Sequence, residues 1–149
     1  MPDNLHFLLM KCFHHSNKAI VKKNTALSLL PGQGKVLECL MEEDGLFPKD
    51  LGVRCVIDKS TITSLLSKME KQGFIMRTND SKDKRAVRIW LTDTGKMLGE
   101  KAIKNGQDID NVVLKSLSQK QRDELENILK IINNAYEEIN AVESRKRES

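Results

Sequence analysis

Aromatic residues are scarce: four Phe, one Trp and one Tyr in 149 residues. A stacking platform for single-stranded nucleic acid, which needs aromatic faces, is therefore poorly supplied. Cysteine is scarce as well. Cys12, Cys39 and Cys55 are widely spaced, odd in number and form no CxxC. That argues against a zinc finger or a disulfide framework and for a reducing compartment. Adjacent His14 and His15 point to different helix faces, and with His6 they give no ligand spacing, so no metal is expected. No run approaches the ~18 apolar residues of a membrane span. The N-terminus has no basic-led apolar segment with a small-residue cleavage site. A Gly-rich phosphate loop and a nucleophile elbow are also missing, which disfavours an enzyme. The expectation is a soluble, cytoplasmic protein with no cofactor and no membrane partner.

What is present is charge, unevenly spread. With 39% hydrophobic and 31% charged residues, the chain suits one helix-rich domain spanning residues 1–149. Net charge is +4. Residues 36–53 carry one basic and five acidic side chains, residues 54–90 nine and four, and residues 91–149 ten and eleven. A positive block beside a near-neutral helical region suits a nucleic-acid face backed by a scaffold.

Apolar spacing predicts a first helix from Leu5 to about Lys23, a connection from Asn24 to Leu30, and a second helix with Pro31 in its first turn. Val36, Leu37, Leu40 and Met41 form the second stripe, and Asp44-Gly45 ends it. Leu46-Phe47 suits a short strand pairing with a later hairpin. Pro48 opens a short third helix to about Arg54, and Val56-Ile57 leads into a turn. Asp58 is placed to cap a fourth helix running to Gln72, with Ile62, Leu65, Leu66 and Met69 inward and a basic, hydroxyl-rich outer face. Two short helices joined by a tight turn make the helix-turn-helix pattern.

A hairpin follows. Phe74, Ile75 and Met76 are expected to pack back on the helices, and Val87, Ile89 and Leu91 alternate with Arg88 and Trp90. Between these strands Thr78 to Arg85 forms a tip without an apolar residue. Thr92 caps a fifth helix to about Leu114. Ser118 to Gln121 matches a capping box opening a sixth, striped by Leu125, Ile128, Leu129, Ile132, Ala135, Tyr136 and Ile139. Glu143 to Ser149 is expected to fray. The fold class is mainly α with a small β-hairpin wing (α+β), a winged helix-turn-helix.

Several stretches resemble the MarR family of transcriptional regulators: Asp58-Lys59-Ser60-Thr61-Ile62-Thr63, Lys68 to Arg77, Asp80-Ser81-Lys82-Asp83-Lys84-Arg85, and Leu91-Thr92-Asp93-Thr94-Gly95. The family wing reads D-x-R-D-x-R. Here Lys82 replaces the first arginine, keeping charge but losing the planar fork. The resemblance implies a homodimer on a pseudo-palindromic double-stranded DNA operator, repressing rather than activating, and responsive to a ligand or to stress. Residues of about 31–92 would bind DNA, while 1–23 and 93–145 would supply dimerisation helices. A small-molecule effector site would lie among the first, second and fifth helices.

Arg85 is the first candidate contact, by resemblance the wing arginine that enters the minor groove. Asp83 would orient it through a salt bridge. Lys82 and Lys84 suit phosphates, as do Lys59 and Lys68. Ser60, Thr61, Thr63 and Ser64 lie near the N-terminus of the fourth helix, the end that approaches base edges. Which of them meets a base is left open. Some relatives sense peroxides through a first-helix cysteine, which makes a redox regulator using Cys12 one alternative. On its apolar stripe, far in sequence from Tyr136, Cys12 is instead expected to be a buried, inert thiol. A helical protein–protein adaptor is the other alternative.

Overall fold

A computed structural model describes residues 3–149. The helices and strands run α1 (Leu5–Thr25), α2 (Gln33–Glu42), α3 (Pro48–Cys55), α4 (Lys59–Lys71), β1 (Ile75–Asn79), β2 (Val87–Leu91), α5 (Asp93–Leu114) and α6 (Gln119–Glu148). Two compact units result, Met1–Ile109 and Asp110–Ser149, with α5 running from the first into the second.

The core of the first unit is made where the sequence concentrates Leu, Ile and Val at helical spacing. Val36, Leu37 and Leu40 of α2 are buried, as are Leu51 of α3 and Ile62, Leu66 and Met69 of α4; Ile75, Ile89 and Leu91 of the hairpin join them. Leu65 is only partly buried and packs against this cluster. Burying one such side chain stabilises the fold by roughly 1.5–3 kcal/mol. Truncating fully buried Leu66 to Ala would cost about 2–5 kcal/mol, because the cavity adds to the lost transfer energy.

Local chemistry sets the ends. Pro48 occupies the first turn of α3, where its missing N–H costs nothing. The carboxylate of Asp58 accepts the Thr61 N–H at 2.8 Å and caps α4. Between them Val56 takes a left-handed conformation at φ 54° and is almost fully exposed. A β-branched residue there is strained by about 1–3 kcal/mol, and the Ile57 N–H bond to the Gly52 carbonyl, at 2.9 Å, holds the turn. Thr92 begins α5: its hydroxyl donates to the Gly73 carbonyl at 2.6 Å and accepts the Gly95 N–H at 3.0 Å. Gly95 is required by packing, since a Cβ would lie 2.0 Å from the Phe74 carbonyl oxygen.

β1 and β2 are antiparallel, with Ile75 opposite Leu91 and Asn79 opposite Val87. The expected strand at Leu46-Phe47 is reduced to a single bridge, Leu46 to Ile89. Gly45, at φ +73°, lies under Trp90; a Cβ there would come within 2.5 Å of the indole ring.

Four expectations need correction. Pro31 precedes α2 rather than joining it: Gly32 is the N-cap at φ 88°, and helical geometry begins at Gln33. Met76 does not pack inward; it alternates with buried Ile75 and is exposed. Glu143 to Glu148 continue α6, whose last turn carries Arg145, Lys146 and Arg147, cations that favour the negative end of the helix dipole. Cys12 is exposed, not buried.

In the second unit the capping box is present, with the Gln121 N–H donating to the Ser118 hydroxyl and the Ser118 N–H to the Gln121 side chain. No residue of α6 is buried, and Leu125, Ile128, Leu129, Ile131, Tyr136, Ile139 and Val142 are all exposed.

Candidate nucleic-acid interface

The candidate interface consists of the outer face of α4 and the tip of the hairpin. Ser60, Thr63, Ser64, Ser67, Lys68 and Lys71 line one shallow surface concavity along α4. The hydroxyls on that face differ in their freedom. Ser60 Oγ donates to Asp58 Oδ1 at 2.8 Å and Thr61 Oγ1 to Asp58 Oδ2 at 3.0 Å. Thr63 Oγ1 donates back to the Lys59 carbonyl at 2.8 Å. Ser64 is exposed, and its hydroxyl has no hydrogen-bond partner among the described residues. The N–H of Thr61, then the hydroxyls of Ser60 and Thr61, hold the Asp58 carboxyl below its usual range. Asp58 is thus an anion whose acceptor capacity is directed into the helix start.

The hairpin tip is organised around Asp80, the acid that opens the wing motif and to which the sequence assigns no contact. It is 9% exposed. Its Oδ2 accepts the N–H groups of Lys82 and Asp83 at 3.2 and 3.1 Å, and its Oδ1 accepts Arg88 Nε at 2.7 Å. The Asp80 N–H donates to the Ala86 carbonyl at 2.9 Å. The Arg88 bond first, then the two backbone donors, lower the Asp80 pKa. Arg88 also donates to the Gly45 carbonyl at 2.8 Å and stacks 4.3 Å over the Phe47 ring. One buried carboxylate therefore fixes the wing loop, and one arginine ties that loop to the strand and the helix-turn-helix. The signal in the sequence was an acid opening the tip and an arginine in the returning strand eight positions later.

Arg85 extends from this frame with its side chain 95% exposed. The Asp83 carboxylate accepts the Arg85 N–H at 3.0 Å and lies 3.6 Å from Arg85 Nε, so the expected pair is present. Four of the nine cations in residues 54–90 stand in ion pairs: Arg54 with Glu43, Arg77 with Glu70, Arg88 with Asp80, and Arg85, still exposed, with Asp83. Lys59, Lys68, Lys71, Lys82 and Lys84 are exposed and have no acidic partner among the described residues. The four acids of the segment are all occupied, Asp58 by its cap, Glu70 by Arg77, Asp80 by Arg88 and Asp83 by Arg85. What remains displayed outward is cationic.

An apolar cavity of about 580 Å³ lies between α3 and α4, lined by Pro48, Val53, Ile57 and Ile62 and edged by Lys59 and Thr63. No group of three or more potential metal ligands occurs among the described residues, and no helix among them is long and apolar enough to cross a membrane.

A capped helix with a short helix before it and a cationic hairpin after it defines a winged helix-turn-helix protein. Residues 29–87 match the MarR family. The chain is 31% identical over 128 residues to the organic hydroperoxide resistance transcriptional regulator of Bacillus subtilis, covering 86% of this chain and 84% of that one. It is 37% identical over 90 residues to the regulator SarZ of Staphylococcus aureus, covering 58% and 61%. Among solved structures, a MarR transcriptional regulator from Methanosarcina mazei superposes with a TM-score of 0.81 at 28% identity, covering 91% of this chain and 99% of that one. The S. aureus MepR–DNA complex shares the fold at TM-score 0.81 and 21% identity, covering 90% and 99%. The chain belongs to the MarR family and is a DNA-binding transcriptional regulator, not an enzyme.

Proposed function

We propose that the protein is a homodimeric repressor that reads a pseudo-palindromic operator, α4 entering the major groove and the 80–85 tip an adjoining minor groove. The observation that carries this reading is the sorting of charge in residues 54–90. Every acid is satisfied internally, while Lys59, Lys68, Lys82, Lys84 and Arg85 face outward from a helix and a loop that are both fixed in place. Arg85 supplies the minor-groove cation, favoured by the negative potential there. Asp83 orients it, and the lysines meet phosphates. Ser60, Thr61, Thr63 and Ser64 face the bases. Ser64 is the freest donor, while Ser60, Thr61 and Thr63 retain lone pairs to accept with.

The dimer reading is supported by the apolar stripe of α6, exposed along its length, and by Leu5, Leu8, Met10 and Phe13, exposed on α1. Such faces call for a partner surface, and residues 1–23 and 93–145 are its proposed source. Residues of about 31–92 form the DNA-binding region of what is, in this reading, one functional domain. A small apolar effector fits the cavity between α3 and α4. That location differs from the α1, α2 and α5 junction implied by resemblance, and it is supported by the lining residues and by shared use of Lys59 and Thr63.

The test is binding of the purified protein to its own promoter region at low and rising salt, with its oligomeric state measured alongside. Dimeric protein that shifts this DNA, with affinity falling steeply as salt rises, is the expected result. A folded dimer that does not bind, or binding indifferent to salt, would favour the adaptor alternative.

A further inference from the structure

The fold brings together two cysteines that lie sixteen positions apart in sequence. Cys39 on α2 and Cys55 at the end of α3 have their sulfurs 3.1 Å apart. A disulfide bond measures about 2.04 Å, so closure requires a relative movement of about 1 Å. The two thiols are not equivalent. Cys55 is 5% exposed, and its S–H is shared between Cys39 Sγ and the Lys35 carbonyl, 3.6 Å away. Cys39 is partly exposed at the surface of the same cluster. The hydrogen bond from Cys55 lowers the Cys39 pKa and raises that of Cys55 itself. Burial and the charges of Glu38 and Glu42 oppose the first shift, and Arg54 supports it. One sulfur is thus accessible and more readily ionised, and its neighbour is a protonated donor held beside it.

We propose that Cys39 and Cys55 are a reversible redox modification site, forming an intramolecular disulfide by exchange with low-molecular-weight organic disulfides. The Cys39 thiolate attacks one sulfur of the small disulfide, making a mixed disulfide and releasing one thiolate. Cys55 then gives up its proton and attacks the Cys39 sulfur, expelling the second small thiolate. Both protein thiols are oxidised and the small disulfide is reduced to two thiols; no other reactant is required. The second step is intramolecular and outruns the competing return of the small thiol because its sulfur is already in place. The bond ties α2 to the last turn of α3, immediately before the strained Val56 turn and the Asp58 cap of α4. Cys12 on α1 takes no part. This assignment does not depend on the operator reading.

The experiment uses the full chain carrying Cys12→Ser, incubated with oxidised glutathione and followed by intact mass, free-thiol titration and peptide mapping. The expected result is loss of both thiols, a mass lower by two hydrogens, no retained glutathione and a cross-link between the peptides holding Cys39 and Cys55, all reversed by dithiothreitol. With Cys55→Ser added, one glutathione should remain on Cys39. With Cys39→Ser instead, Cys55 should be modified at least about tenfold more slowly than Cys39 is. Unreacted thiols, glutathione retained on the Cys12→Ser protein, or covalent dimers in place of the internal bond would each overturn the proposal. Equal reactivity of Cys55 in the Cys39→Ser protein would overturn it as well.

Discussion

The outer face of α4 and the hairpin tip face solvent with similar composition, small polar residues and lysines, yet they are built in opposite ways. On α4 the backbone is fixed by the helix itself, and several polar side chains turn inward to finish it: Ser60 and Thr61 to the Asp58 cap, Thr63 to the Lys59 carbonyl. At the tip no ladder fixes the backbone, so a buried carboxylate does so instead, and the side chains are left free. A helix can lose one surface residue without losing its shape. The tip depends on Asp80.

That contrast yields the largest expected effect. Asp80→Ala should weaken promoter binding on the order of a hundredfold, because Lys82, Lys84 and Arg85 lose their placement together. α4 and helical content should stay intact, as checked by circular dichroism alongside a binding titration. A comparable loss on Ser67→Ala, at the far end of the α4 face, would break the distinction between the two regions. Acid should act on both anchors. The folded-state pKa values of Asp80 and Asp58 are both lowered, so each contributes stability above the ordinary carboxylate range that is lost as pH falls through its folded value. Denaturation followed from pH 6 down to about pH 2 should be flatter for Asp80→Asn than for the parent. An unchanged profile would remove Asp80 as the anchor.

Arg85→Ala comes next, with a loss of about tenfold in affinity and no change in oligomeric state by size-exclusion chromatography. The frame around Asp80 does not include the Arg85 side chain, so only the contact should go. Lys82→Ala and Lys84→Ala should each reduce the salt dependence of binding by about one unit of log–log slope, uniformly across DNA sequences. A sequence-dependent loss would make either lysine a reader of bases.

The order of elements was legible in the sequence because each carries its own punctuation: Pro48 at a first turn, Asp58 and Ser118 at N-caps, Thr92 before α5. The alternation Val87, Ile89, Leu91 likewise announced β2. What stayed hidden depends on contacts distant in the chain. Asp80 looks like any loop acid until Arg88 is folded across from it, and Cys39 and Cys55 look isolated until α2 meets α3. Met76 shows the limit in the other direction. Its apolar character suggested burial, but the pleat assigns sides by parity, and buried Ile75 had already taken the inner one.

The smallest effects lie on α4 and separate two neighbouring hydroxyls. The Thr63 hydroxyl already donates its hydrogen bond to the Lys59 carbonyl, whereas Ser64 has no partner among the described residues. Of these two hydroxyls, only that of Ser64 can donate to a base or phosphate without first breaking a bond within its own helix. Ser64→Ala should therefore weaken binding roughly three- to tenfold, the worth of one hydrogen bond. Thr63→Val keeps the branched shape and a methyl for thymine, and should change affinity by no more than about twofold. Side-by-side titrations of the two variants at one salt concentration decide the point. If Thr63→Val proves the more damaging, the Thr63 hydroxyl must leave the Lys59 carbonyl on binding DNA. In that event the α4 face would not be the finished surface that sets it apart from the wing.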